Sequence, residues 1–202
     1  MSAAAKTWSH VPTLAGRHVL LEPLQVAHVP ALAEVVRGSG LDRLWYTNIP
    51  APEAMGAYVD AALELHATRG AVLPFVVRDG DGQIVGSTRC YGLEPDVPRL
   101  GIGYTWYAPR VQRTGLNTQA KQLLLEYAFQ TLGCASVFFE TSAFNRASRA
   151  AIARLGAKQD GILRNCKRHA DGTLRDTVVF SIIDSEWPAV RSHLQFQLDS
   201  HA

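Results

Sequence analysis

Cysteine is scarce in this 202-residue chain: Cys90, Cys134 and Cys166 lie far apart, are odd in number and lack metal-ligand spacing. That pattern excludes a fully paired disulfide framework, gives no reason to expect a metal, and fits a reducing compartment. Long apolar runs are lacking as well. No stretch approaches the roughly 18 apolar residues of a membrane-spanning helix, and Trp8, His10 and Pro12 interrupt the region where a secretory leader would carry its apolar segment. A cytoplasmic location is therefore expected. Charge of one sign is not concentrated anywhere: the net charge is +2 and the basic residues are scattered, so neither nucleic acid nor a membrane surface is an expected partner. Internal repeats and low-complexity tracts are missing too. With 47% hydrophobic residues, a chain of this length can build one good core, and a single domain over residues 14–202 is expected behind a loose arm at 1–13.

What is present reads as alternating strands and helices. Arg17–Leu24 is strand-like and stops at a proline, and Val26, Val29, Leu32, Ala33 and Val36 have helical spacing before the breaker Gly38. A connection containing Trp45, Tyr46 and two prolines follows; its aromatics either pack inward or line a cleft. Residues 53–69 predict a second helix. Residues 72–78 and 83–93 are β-rich runs joined by Asp79-Gly-Asp-Gly82, a clear hairpin turn, and a further strand runs from about Arg99 to Tyr107. Beyond it come a helix over Thr118–Leu132, a strand at Ser136–Thr141 and a helix over Asn145–Leu155. The chain closes with a hairpin about His169–Gly172 and a final helix bearing Trp187, Val190 and Leu194 on one face. This is an α+β pattern.

The segment that carries chemistry is Gln112-Arg113-Thr114-Gly115-Leu116-Asn117, a polar loop between the Tyr107 strand and the following helix. The first amides of a helix lack intrahelical partners and sit at the positive end of its dipole, so a phosphate binds there readily. Gly115 would let the loop bend so that several amides converge, with Asn117 or Thr118 as the N-cap. The segment lacks the Gly-Lys-Ser/Thr ending of a triphosphate loop and the three spaced glycines of a dinucleotide site. An ordinary strand-to-helix turn stands as the alternative.

These residues resemble the GNAT N-acetyltransferase superfamily, whose coenzyme A loop reads Gln/Arg-x-x-Gly-x-Gly/Ala; here Gln112-x-x-Gly115-x-Asn117 departs from it in the last place. Asn145-x-x-Ser148 followed by Leu155-Gly156, and Tyr104-x-Trp106-x-Ala108-Pro109, resemble the RimJ/RimL-like branch. The likeness covers about residues 99–157, and Leu20-x-x-Pro23-Leu24 extends it toward the start. It implies a single-domain, mostly antiparallel mixed sheet, flanked by helices and splayed between the fourth and fifth strands. It also implies acetyl transfer from acetyl-coenzyme A to a primary amine, either a protein N-terminal α-amine or a small molecule, in a ternary complex. A non-catalytic acyl-coenzyme A binding module or sensor is the alternative, and a homodimer is left open.

The resemblance further implies site residues. Gln112, Arg113, Thr114, Gly115, Leu116, Asn117 and Thr118 would hold the pyrophosphate, and backbone groups of Trp106 and Tyr107 would pair with the pantetheine arm. Asn145 would bond that arm as well, and Trp45 and Tyr46 would border the acceptor. Many relatives protonate the departing thiolate with a Tyr seven residues after the motif Asn, but that position is Ile152. Ser148 is then the candidate acid, against the alternative of a mid-helix hydroxyl bonded to its own backbone. Many relatives carry a Glu base where this chain has Gly101. Glu140 is the nearest acidic replacement, against a solvated strand residue. His28, His66 and His169 are read as surface spectators.

Overall fold

The computed structural model describes residues 8–200. In chain order its elements are β1 (Leu14–Ala15), β2 (Val19–Pro23), α1 (Val29–Val36), α2 (Met55–Arg69), β3 (Val72–Asp79), β4 (Ile84–Glu94), β5 (Arg99–Tyr107), α3 (Gly115–Glu126), β6 (Ser136–Ser142), α4 (Arg146–Arg154), β7 (Lys158–Arg168), β8 (Leu174–Ile183) and α5 (Trp187–Asp199). All eight strands form one mixed sheet in the order β1-β2-β3-β4-β5-β6-β8-β7. Its pairings are antiparallel except β5 with β6.

That one parallel pairing decides the architecture. β5 and β6 run together only through Arg99↔Ser136, Leu100↔Val137 and Gly101↔Phe138. Beyond Gly101 the two strands diverge, so residues 102–107 of β5 keep their ladder to β4 and, among the described residues, have no strand on the other edge. The short β1 adds a strand before the predicted first one, so the splay expected between the fourth and fifth strands lies between β5 and β6.

Strand alternation sorts the core into two layers, because neighbouring side chains point to opposite faces. Phe75 and Val77 join α3, α4 and α5 on one face, through Leu124, Ile152 and Leu194. Val76 and Trp106 join α1 and α2 on the other, through Leu32, Val36, Met55 and Val59. Of the predicted arm, residues 1–7 lie outside the described residues. Residues 8–13 are tied down: Trp8 is buried in the core and the Tyr127 hydroxyl donates to the His10 carbonyl.

The central helix differs from the periodic reading in two ways. It begins at Gly115, three residues early, and its last turn widens to a π-turn over Tyr127–Thr131. Of the helix-spaced residues Ala120, Leu123, Leu124, Tyr127 and Ala128, all are buried except Leu123, which is half-buried, and Thr118, Lys121 and Gln122 are buried too. The helix is enclosed on more sides than an amphipathic pattern reports. Cys90 and Cys134 are free and buried and Cys166 is free and exposed. Among the described residues no helix is long and apolar enough to cross a membrane.

Candidate active site

At the start of α3 the polar loop makes a tight corner held by its own side chains. Thr114, neither Asn117 nor Thr118, is the N-cap: its hydroxyl accepts from the Leu116 amide at 3.3 Å and donates to the Val111 carbonyl at 2.7 Å. Gln112 folds back and donates from Nε2 to the Tyr107 carbonyl at 3.0 Å, fastening the loop to the end of β5. The left-handed corner belongs to Arg113, at φ +63°, and Gly115 is an ordinary first-turn helical residue. The expectation that Gly115 makes the bend is therefore corrected. What a side chain at 115 would meet is the His18 ring, 3.4 Å from where its Cβ would lie. The helix start opens into a depression of about 490 Å³ bordered by Arg17, His18, Arg110, Arg113 and Thr114. Asp79 and Asp81 line it as well, and Asp79 holds Arg110 in an ion pair at 2.7 Å, which leaves Arg17 and Arg113 beside the free helix amides to meet a phosphate-rich ligand.

Following β5 back from that loop leads to a bulge. The register with β4 jumps from Ser87↔Trp106 to Arg89↔Gly103, so three steps on β5 face two on β4, and Tyr104 takes up the extra residue at φ +52°. Bulges of this kind re-aim backbone groups beside functional sites. From beneath, Lys121 of α3 donates to Thr105 Oγ1 at 2.7 Å, and Thr105 shares a hydrogen bond with Thr88 at 2.8 Å. Among the described residues no carboxylate meets this amine, and burial pulls its pKa from 10.5 down to about 7. Helical periodicity gave no hint of Lys121.

Across the splay, Asn145 caps α4: its Oδ1 accepts from the Ser148 amide at 3.0 Å. Ser148 thus lies in the first turn of a helix, not in its middle, and among the described residues its hydroxyl has no backbone partner. Asn145 is left with its amide N–H₂ to offer a ligand.

The α1/α2 face carries the remaining candidates. Glu140 accepts from Lys167 Nζ at 2.5 Å and from the Tyr91 hydroxyl at 3.4 Å. It is not merely solvated, for Tyr91 and Lys167 orient it. Burial, and next the Glu140 charge, hold the Tyr91 hydroxyl well above the usual tyrosine range, so it stays a donor. Gly101 carries no base for a steric reason: a Cβ there would lie 2.6 Å from the Phe138 ring and 2.7 Å from Tyr91. Aromatic rings fill the space a glutamate would need.

Trp45 and Tyr46 meet edge to face, with centroids 5.7 Å apart. Trp45 also packs on His169 at 4.7 Å and on Phe144 at 5.2 Å. This contact joins the α1–α2 connection to the tip of the β7–β8 hairpin. His169 is consequently no surface residue: it is 6% exposed, and its Nε2 is buried without a hydrogen-bond partner. The hairpin turn was legible in sequence; its docking against Trp45 is a tertiary event with no local signal. His28 and His66 lie outside this cluster; His28 bonds the Gln25 amide and His66 the Val72 carbonyl.

Known proteins place this arrangement. Residues 18–158 match the family model described as an acetyltransferase (GNAT) domain. YdaF of Bacillus subtilis (strain 168), named as a candidate ribosomal N-acetyltransferase, is 30% identical over 107 residues. Those residues are 53% of this chain and 57% of that protein, so the match spans little more than half the length of the curated relative. A GCN5-related N-acetyltransferase from Brucella melitensis superposes with a TM-score of 0.85 at 29% identity, over 94% of this chain and 86% of that one. Mycobacterium smegmatis RimJ, solved in complex with CoA-disulfide, superposes with a TM-score of 0.79 over 94% and 96% of the two chains. At 20% identity that likeness speaks to the fold alone.

Proposed function

The chain belongs to the GNAT acetyltransferase family, and from that premise we propose that it moves an acetyl group from acetyl-coenzyme A to the α-amine of a protein N-terminus. One observation carries this reading: the unpaired edge of β5, residues 102–107, leads through the polar loop into the capped start of α3. An extended pantetheine arm can pair with that edge as a substitute strand, through the backbone of Trp106 and Tyr107, while its pyrophosphate sits on the amides of Arg113 to Asn117. Thr118 completes the first turn, and the Asn145 amide bonds the arm from the other lip of the splay.

The two substrates then arrive from opposite faces of the sheet and meet where β5 and β6 part. Holding them together supplies much of the acceleration, since effective molarities for well-placed pairs reach about 10⁵ M or more. A neutral amine attacks the thioester carbon, and a backbone amide at the β5 bulge stabilises the oxyanion. The added nitrogen loses its proton through water toward Glu140, the carbon–sulfur bond breaks, and Ser148 Oγ–H protonates the departing thiolate before recovering its proton from solvent. Trp45 and Tyr46, with Phe144 and His169, wall the acceptor.

The preference for α-amines follows from Gly101. With no carboxylate poised at that position, the acceptor supplies its own neutral fraction, which near neutral pH is substantial for an α-amine at about 8 and very small for a lysine at about 10.4. A thiol-release assay over N-terminal peptides, lysine-only peptides and small amines tests the reading. Release with unblocked peptides, lost when the N-terminus is blocked, is the expected result. Coenzyme A binding with no release for any amine would leave the chain a binding module and overturn it.

A further inference from the structure

A positive charge lies under the α1/α2 face, and nothing among the described residues neutralises it. Arg89 on β4 is 4% exposed; its Nη2 donates to the Tyr58 carbonyl at 3.3 Å and its Nε is buried without a partner. The guanidinium is sandwiched between aromatic rings, 4.3 Å from the Tyr58 centroid and 4.8 Å from that of Tyr104. Ring faces stabilise a cation only modestly, and arginine does not escape burial by losing its proton. Among the described residues no carboxylate pairs with it. Two further buried groups on this face are also without partners, the Tyr58 hydroxyl and the Trp106 indole N–H. All three can donate, and an orphaned buried donor is costly to leave unmet.

Donors without an acceptor call for an anion. We propose that Arg89 is a carboxylate-binding subsite of the acceptor site, selecting amines that carry a carboxylate a few bonds from the reacting nitrogen. The placement favours this: Arg89 faces Gly103 across the β4–β5 ladder, at the bulge beside the free edge of β5. Tyr104, the outer ring of the sandwich, is 48% exposed, so the way from solvent to the guanidinium passes around one aromatic ring. A carboxylate paired with Arg89 leaves its amine over the bulge. The planar, always charged fork of arginine suits a carboxylate better than any neutral donor would. The inference rests on the acetyl-transfer reading for what happens to the amine, but not for binding.

Two matched sets of acceptors test it with the coenzyme A-loaded protein, by calorimetry for binding and by thiol release for turnover. The first set is peptides beginning with Asp or Glu against Asn or Gln; the second is free α-amino acids against their α-amides. These separate a side-chain carboxylate from an α-carboxylate. A charge-assisted pair predicts that the carboxylate member of one set binds at least about tenfold more tightly. Arg89→Gln should remove that gap while changing affinity for the amide member and for coenzyme A by less than about threefold. Equal affinity within both sets in the wild-type protein overturns the subsite, and this comparison needs no variant to fold. A binding gap without acetylation sinks the transfer reading and leaves the subsite standing; acetylation without a gap does the reverse.

Discussion

Lys121 offers the sharpest test of the packing, because a buried amine writes itself into the pH dependence of stability. Its Nζ is enclosed between α3 and the sheet, with Thr105 and Thr88 as its hydrogen-bond partners, and burial lowers its pKa from 10.5 to about 7. Between those values the unfolded chain holds a proton that the folded chain has released, so stability rises with pH. Below about pH 7 both states are protonated and the folded state bears the whole penalty, of order 5 kcal/mol at about 1.4 kcal/mol per tenfold. Between pH 6 and pH 9 the wild-type protein should gain about 2–3 kcal/mol from this group alone. Lys121→Met keeps the length of the side chain and removes the charge, leaving Thr105 and Thr88 to bond each other. Urea denaturation at pH 6, 7.5 and 9 should then show the variant more stable than wild type at pH 6, with the gap closing as the pH rises. Equal pH slopes in the two proteins, or a variant less stable at pH 6, would show that the amine is solvated or paired and that this burial argument fails.

Other outcomes follow from the same geometry. Arg113→Gly removes a left-handed arginine and should raise stability by about 1 kcal/mol in denaturant titration, while coenzyme A affinity falls severalfold with the loss of a phosphate-facing guanidinium. Gly115→Ala, free of backbone strain, should bind coenzyme A within about threefold of wild type, whereas Gly115→Val, pushed against His18, should lose tenfold or more by calorimetry. Ser148→Ala should lower kcat and leave coenzyme affinity nearly unchanged, since its hydrogen bond strengthens as charge develops on sulfur. The pH profiles of kcat/KM for two acceptors whose pKa values differ by about two units should shift with the acceptor; a shared break abolished by Glu140→Gln would instead make Glu140 the rate-setting base.

The parts of this site that were legible in sequence are those made by contiguous chain. The hairpin at Asp79–Gly82, the breaker at Gly38 and the polar loop before α3 each carry local turn or helix chemistry, and the family's coenzyme loop is itself such a segment. Even there, local rules misplaced the detail. Glycine is the default guess for a left-handed corner, yet the corner falls on Arg113, and the N-cap went to Thr114, whose hydroxyl reaches both Val111 and Leu116. What stayed hidden depends on elements distant in sequence. His169 reads as a turn residue until the hairpin docks on Trp45, 124 positions earlier in the chain (169 − 45). Lys121 and Arg89 look like solvated charges in a linear pattern and become functional candidates only once their burial is known.

Both buried cations touch the same stretch of backbone from opposite sides. Lys121 reaches Thr105 from the α3 layer, and Arg89 lies beneath Tyr104 on the α1/α2 layer, so the β5 bulge is held between two basic side chains that pair with no carboxylate among the described residues. Arg89 supplies the fixed positive charge there, while Lys121, its pKa lowered to about 7 by burial, is largely neutral at the pH where an α-amine has a substantial neutral fraction and acts by holding Thr105 and the bulge backbone in place. Such groups are fixed by packing before substrate arrives, and they act in a poorly solvated site where charges interact more strongly than in water. Their energetic burden falls on folding; Arg89 offsets it when an acceptor's carboxylate binds, and Lys121 by fixing the bulge that faces the reacting carbonyl. This accounts for why a chain without a poised carboxylate at Gly101 can still favour acyl transfer: the chemistry is assigned to oriented backbone and buried charge, and the acceptor brings its own lone pair.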